Sequence, residues 1–129
     1  MKKTGILNRD IARILATLGH TDHIVIADCG LPIPSGVECI DLSLRKGFPS
    51  FIDVLEEVLE DMEVEAMIAA EEVSEQNPCI HAAIQSKGVP TYYLPHQDLK
   101  VETAKAKAVI RTGESTPFAN VILRAGVLF

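Results

Sequence analysis

The sequence predicts a three-layer α/β/α domain over residues 1–129, with helices on both faces of a largely buried, mixed β-sheet. Three observations carry this. Segments with helical hydrophobic spacing alternate with short strand-like runs, and those runs are continuously apolar rather than alternating. No internal repeat, low-complexity tract or linker divides the chain.

The elements follow in order. Ile11, Ile14, Leu15 and Leu18 fall at i, i+3, i+4 and i+7 and predict a helix, with Asn8 as N-cap and Gly19 at its stop. Residues 23–28 read His-Ile-Val-Ile-Ala-Asp, a buried strand. Residues 31–36 cannot extend it, because Pro32 and Pro34 remove ladder donors. A second strand is read over 37–42. Phe51, Val54, Leu55, Val58, Leu59 and Met62 form the stripe of a second helix, opened by Ser50 with Asp53 completing a loose capping box. Glu56, Glu57, Glu60 and Asp61 make its solvated face. A strand over 64–70 precedes a helix capped by Asn77, with Pro78 in its first turn and Gly88 past its end. A strand over 89–94, a poorly patterned helix over 97–106, and strands at 109–111 and 121–123 complete the chain.

Composition narrows the function. With 47% hydrophobic residues the chain can bury a core. The formal net charge of −6 carries no basic cluster, which argues against nucleic acid or an anionic membrane as partner. Cys29, Cys39 and Cys79 form neither a CxxC pair nor a zinc quartet, a usage that suits a reducing cytoplasm. No apolar stretch reaches the length of a membrane span, and Asn8, Arg9 and Asp10 interrupt the start before any signal-like run.

Candidate chemistry gathers at element ends, where open α/β sheets collect ligands. His20 follows the Gly19 helix stop, where the carbonyl end of a helix favours a cation. That position supports either a plain cap or a proton-transfer group near neutral pH. Asp28, before Cys29-Gly30, reads by itself first as a turn residue bonding its own backbone and only second as a site residue. His96 follows a strand end, and Lys100 would share a helix face with it if a helix begins there. Arg111-Thr112-Gly113-Glu114 ends another strand and Asn120 begins the last. His81 reads as structural, and His23 takes no role. Neither a GxSxG elbow, a GxGxxG turn nor a Walker loop is present. His20, His23 and Asp28 lack a recognised metal-ligand spacing, so no metal is expected.

The runs Gly5-Ile6-Leu7-Asn8, Leu18-Gly19-His20-Thr21-Asp22 and Ile26-Ala27-Asp28-Cys29-Gly30-Leu31-Pro32-Ile33-Pro34 resemble the opening of the D-ribose pyranase family. The likeness resumes at Ile40-Asp41-Leu42-Ser43-Leu44, at His96 through Lys100, at Ile110-Arg111-Thr112-Gly113-Glu114, at Thr116-Pro117-Phe118-Ala119-Asn120 and at Ala125-Gly126-Val127-Leu128-Phe129. It implies cofactor-free interconversion of the pyranose and furanose forms of β-D-ribose, supplying furanose to ribokinase. The related L-fucose mutarotases make anomer interconversion the alternative activity, and a non-catalytic sugar-binding protein is the alternative class.

By the same resemblance His20 matches the proton donor, in the company of Asp28, His96 and Asn120. Asp28, His96, Phe118, Ala119 and Asn120 match sugar contacts, with Lys100 as an addition. The family forms ring-like homo-oligomers, decamers among them, with sites near subunit contacts. Tyrosine is usual where this chain has Phe118, which puts sugar preference rather than reaction type in question. Ala119 keeps the ribose-like form. The apolar end, residues 126–129, is expected to dock into the core or onto a neighbouring subunit.

Overall fold

In the computed structural model, which describes residues 1–129, helix α1 (Arg9–Thr17) begins on Asn8. The Asn8 side-chain oxygen accepts from the N–H groups of Asp10 and Ile11, both at 3.0 Å. The helix stops just before Gly19, as its pattern predicts, but by a different device. Leu18 turns to extended backbone (φ −70°, ψ 135°), and the left-handed residue of the turn is Thr21 (φ 70°), not Gly19.

Next come β1 (His23–Ala27), β2 (Glu38–Asp41), α2 (Phe51–Asp61) and β3 (Val64–Ala70). A four-residue helix α3 (Val73–Gln76), too short to show a period, leads into α4 (Pro78–Gln85). The chain ends with β4 (Thr91–Leu94), α5 (His96–Thr103), β5 (Ala108–Arg111) and β6 (Val121–Ala125). Ser50 caps α2 by accepting from Asp53 N–H at 3.1 Å, and Asn77 caps α4 by accepting from Ile80 N–H at 3.4 Å. Gly88, at φ 70°, ends the α4 segment in the left-handed conformation expected of it.

The six strands form one mixed sheet in the order β2-β5-β1-β6-β3-β4. Only β6 runs antiparallel, between β1 and β3; every other pairing is parallel. Alternate residues of each strand feed two cores. Ile24, Ile26, Met67, Ala69, Ile110, Val121 and Leu123 pack with Ile11 and Ile14 of α1, Phe51, Leu55 and Val58 of α2, and Ile80 and Ile84 of α4. On the other face Val25, Ala27, Ala70, Val109 and Ile122 meet Leu99 of α5 and Leu31 of the loop after β1. The predicted three layers are present, but one of them is a single short helix and a loop.

The expected docking of the apolar end does not occur within the chain. Leu128 and Phe129 are fully exposed, so the core does not receive them. No helix is long and apolar enough to cross a membrane.

Candidate active site

Because β1, β3, β4 and β5 are mutually parallel and β6 opposes them, residues 28, 95–96 and 118–120 converge on one edge of the sheet. Asp28, Gly30, Leu31, Pro32, His96, Lys100, Pro117 and Phe118 line a cleft of about 280 Å³ there. Four of the residues singled out from the sequence are therefore neighbours.

Asp28 is fixed from behind. Asn120, wholly buried, accepts from the Asp28 N–H at 2.9 Å and donates its amide to Asp28 Oδ2 at 2.8 Å. Asp28 Oδ1 accepts from Gly30 N–H at 2.8 Å, the turn bond that the sequence also suggested. Asn120 thus touches the cleft through Asp28 and does not line it. Ala119 is likewise fully buried, its methyl in the larger core, so only its backbone is near the cleft.

The loop carrying Asp28 is tied down by the segment Arg111-Thr112-Gly113-Glu114. Arg111 donates to Cys29 O through Nε and Nη2, at 3.1 and 2.9 Å, and to Asp41 and Ser43 through Nη1. Thr112 donates its backbone N–H and its hydroxyl to Ala27 O, and Cys29 N–H donates to Glu114 O. These residues brace the loop. Ser43 hydrogen bonds hold the Asp41 carboxyl below its usual range, with Arg111 contributing further.

His96 opens α5, so Lys100 does lie one turn along the same helix, as the i,i+4 spacing required. The helix has no side-chain cap of its own at Pro95. Glu72 substitutes for it: both carboxylate oxygens accept from His96 N–H, at 3.1 and 3.0 Å. The ring of Phe118 stands edge-on to the imidazole (centroids 5.0 Å apart, 86° between planes). Phe118 itself holds a left-handed backbone (φ 57°). The imidazole Nδ1 is buried without a hydrogen-bond partner. Burial pushes the His96 pKa below its usual 6.5 and Lys100 adds to the effect, against smaller opposing contributions from Glu72 and Asp28. An imidazole with one unpartnered nitrogen thus shares a small cleft with the side chains of Asp28 and Lys100.

His20 lies elsewhere. It precedes β1, whereas Asp28 follows it, and five residues of strand put the two ends about 16 Å apart. Within one chain His20 is not in the company of Asp28, His96 and Asn120, because the strand that joins them also separates them. Nor does its ring cap α1. His20 Nε2 sits 2.9 Å from Glu65 Oε2 on β3, and Glu65 Oε1 pairs with Arg124 Nε on β6 at 2.7 Å. His81 bonds the Tyr93 hydroxyl at 3.0 Å, consistent with a structural role.

Glu65, Glu72 and Arg124 belong to no motif noted in the sequence. A signal was present for two of them: Glu65 is the lone charge in Val-Glu-Ala-Met-Ile-Ala-Ala, and Arg124 in Val-Ile-Leu-Arg-Ala. A lone charge in a buried strand needs a partner.

Comparison with known proteins agrees with this architecture. The model of the RbsD / FucU transport protein family matches residues 1–128. A D-ribose pyranase of Halalkalibacterium halodurans is 70% identical over 129 residues, and one of Shouchella clausii 69%, each alignment covering both chains completely. The solved structure of Bacillus subtilis RbsD complexed with D-ribose superposes with a TM-score of 0.98 at 53% identity, covering all of both chains. The fucose mutarotase of Streptococcus pneumoniae in complex with L-fucose gives 0.80 at 27% identity, over 95% of each. With the family model matching residues 1–128 and full-length relatives up to 70% identical, this chain belongs to the RbsD/FucU family.

Proposed function

We propose that the protein is a D-ribose pyranase, an isomerase that opens the ring of free β-D-ribose and recloses it as pyranose or furanose. The observation that carries the reading is the cleft of Asp28, His96, Lys100 and Phe118 in a chain 70% identical, end to end, to a protein of that activity. Its volume falls just below the roughly 300–1,000 Å³ of drug-sized sites and suits a monosaccharide. Asp28 and the His96 imidazole, both lining the cleft, are partners for neutral hydroxyls.

The chemistry needs a proton taken from the anomeric hydroxyl and one delivered to the ring oxygen as the C1–O5 bond breaks. The open aldehyde then recloses through O4 or O5, with no atoms gained or lost. General acid–base help of about 10²–10⁴-fold is what a positioned histidine supplies. His20 is the proposed proton-transfer group. Since it stands at the opposite end of β1 from the cleft, the working site takes His20 from one copy and the cleft from the next. Two different surfaces meeting head-to-tail in this way build a ring when the rotation between copies closes. Leu44, Leu128 and Phe129, all exposed in the isolated chain, are the proposed material of the contacts. Three free cysteines suit a cytoplasmic location.

Saturation-transfer NMR on ribose tests the activity: pyranose–furanose exchange faster than in buffer is expected, and a buffer rate would refute it. Measuring L-fucose in parallel separates the fucose-type alternative, and calorimetry with no rate effect would mark a mere binder. The shared site has its own test. His20→Ala and Asp28→Ala chains, each inactive, should regain about a quarter of the sites when reassembled together; no recovery would place both residues in one chain's site.

A further inference from the structure

We infer that Glu65 is a positioning residue for His20, fixing which imidazole nitrogen faces the sugar; this rests on the proton-transfer role proposed for His20. Glu65 Oε2 lies 2.9 Å from His20 Nε2. A carboxylate can only accept, so the hydrogen of a neutral imidazole is held on Nε2 and Nδ1 is left open. When Nδ1 takes a proton, the same carboxylate faces the resulting cation; when Nδ1 gives it up, the ring returns to the same tautomer.

An exposed ion pair ordinarily wanders and contributes little. Here both partners are anchored. Arg124 Nε holds the second oxygen of Glu65 at 2.7 Å, and the two residues stand on adjacent strands, with Ala66 paired to Arg124. The His20 segment is stapled to the end of β6, since Thr21 N–H donates to Ala125 O at 3.0 Å and Ala125 N–H donates to Asp22 O at 2.8 Å. Left-handed Thr21 makes the turn that brings this about. Each of these two strands carries a single charged side chain, Glu65 and Arg124, and Glu65 bridges Arg124 to His20. A carboxylate that orients a working imidazole typically changes function by about 10- to 100-fold when lost.

The test uses the assembled protein, ¹⁵N-labelled, with His20 assigned by difference against His20→Gln. The imidazole shifts should show the Nε2–H tautomer in the native chain and a mixture in Glu65→Gln, which can donate as well as accept. Glu65→Gln should lower kcat for ribose exchange about 10- to 100-fold with KM little changed. Glu65→Asp should recover part of the loss, and Glu65→Gln should have no further effect in a His20→Gln background. An unchanged tautomer with unchanged kcat overturns the inference, as does an equal loss in the His20→Gln background. Should Glu65→Gln fail to assemble by light scattering, Glu65→Ala gives the same tautomer readout with the acceptor removed; a native tautomer and kcat there also overturn it. If the native protein leaves ribose exchange at the buffer rate, the functional reading fails by itself, while the tautomer measurement still decides the hold of Glu65 on His20.

Discussion

Asn120 and Asp28, 92 residues apart in sequence, hold each other through two hydrogen bonds of 2.9 and 2.8 Å, one to the backbone and one to the side chain of the aspartate. The buried amide leaves Asp28 one preferred direction, with its carboxylate on the cleft. Asn120→Ala should therefore raise KM for ribose more than it lowers kcat. Stability should fall by about 1–3 kcal/mol through the stranded Asp28 N–H. Denaturant titration and exchange kinetics measure the two effects separately, and an unchanged KM would show that Asp28 needs no such hold.

His96 links the cleft to pH. Its folded pKa is depressed by burial first and by Lys100 second, so between the folded value and 6.5 the unfolded chain binds the extra proton. The stability contribution is then complete above about 6.5 and is lost as pH falls through the folded value. His23, depressed by burial and by Arg124, adds the same sign. The thermal midpoint should drop on acidification through this window, and His96→Gln should flatten the slope in part. Lys100→Met should raise the His96 titration midpoint in NMR and Glu72→Gln should lower it. A Lys100→Met shift in the opposite direction would contradict the described electrostatics.

Phe118 carries no hydroxyl, and its ring holds the His96 imidazole edge-on. Phe118→Tyr keeps the ring and the left-handed backbone while adding one neutral donor. A gain of about 0.5–1.5 kcal/mol in ribose binding is expected, roughly 2- to 10-fold in KM, with stability unchanged. Parallel assays on ribose and L-fucose measure it. No change for either sugar would mean that the hydroxyl position lies outside the site.

Gly113 sits where two chain segments touch. A Cβ there would lie 2.3 Å from Phe48 O and 2.6 Å from Arg45 O, and its own N–H donates to Pro49 O at 2.9 Å. Gly113→Ala must push backbone aside and should cost about 1–3 kcal/mol. The brace on the Asp28 loop should loosen with it, so ribose affinity is expected to fall alongside the unfolding midpoint. A stable variant with native affinity would show that the strap 45–49 yields freely.

Much of this fold was legible because its signals are local. The run of residues 64–70 has the bounds of β3, and Asn8, Ser50 and Asn77 cap the helices they precede. The boundaries that moved have local reasons too. β2 starts at Glu38 because the Val37 N–H is turned back onto Pro34 O, and α3 has a single turn. What could not be read was the sheet order, which rests on pairings between distant segments. That order decides the site. Asp28 and His96 could be gathered from strand ends, and chain order alone puts His20 at the other end of β1, but placing Phe118 beside them requires knowing that β6 reverses direction between β1 and β3. The partners Glu65 and Glu72 lie 45 and 24 residues from the histidines they touch, beyond the reach of any spacing rule.

The layer that carries His96 and Lys100 is one eight-residue helix, shorter than a helix that sustains itself in water, and its inward contacts centre on Leu99. Such a layer is the natural first region of the protein to open, and when it opens the cleft goes with it. A bound sugar touching His96 and Lys100 would then act as a mortar course, drawing local opening back toward the global limit. Amide exchange in α5, and beneath it at Val25, Val109 and Ile122, would report occupancy of the cleft without any sugar signal being observed.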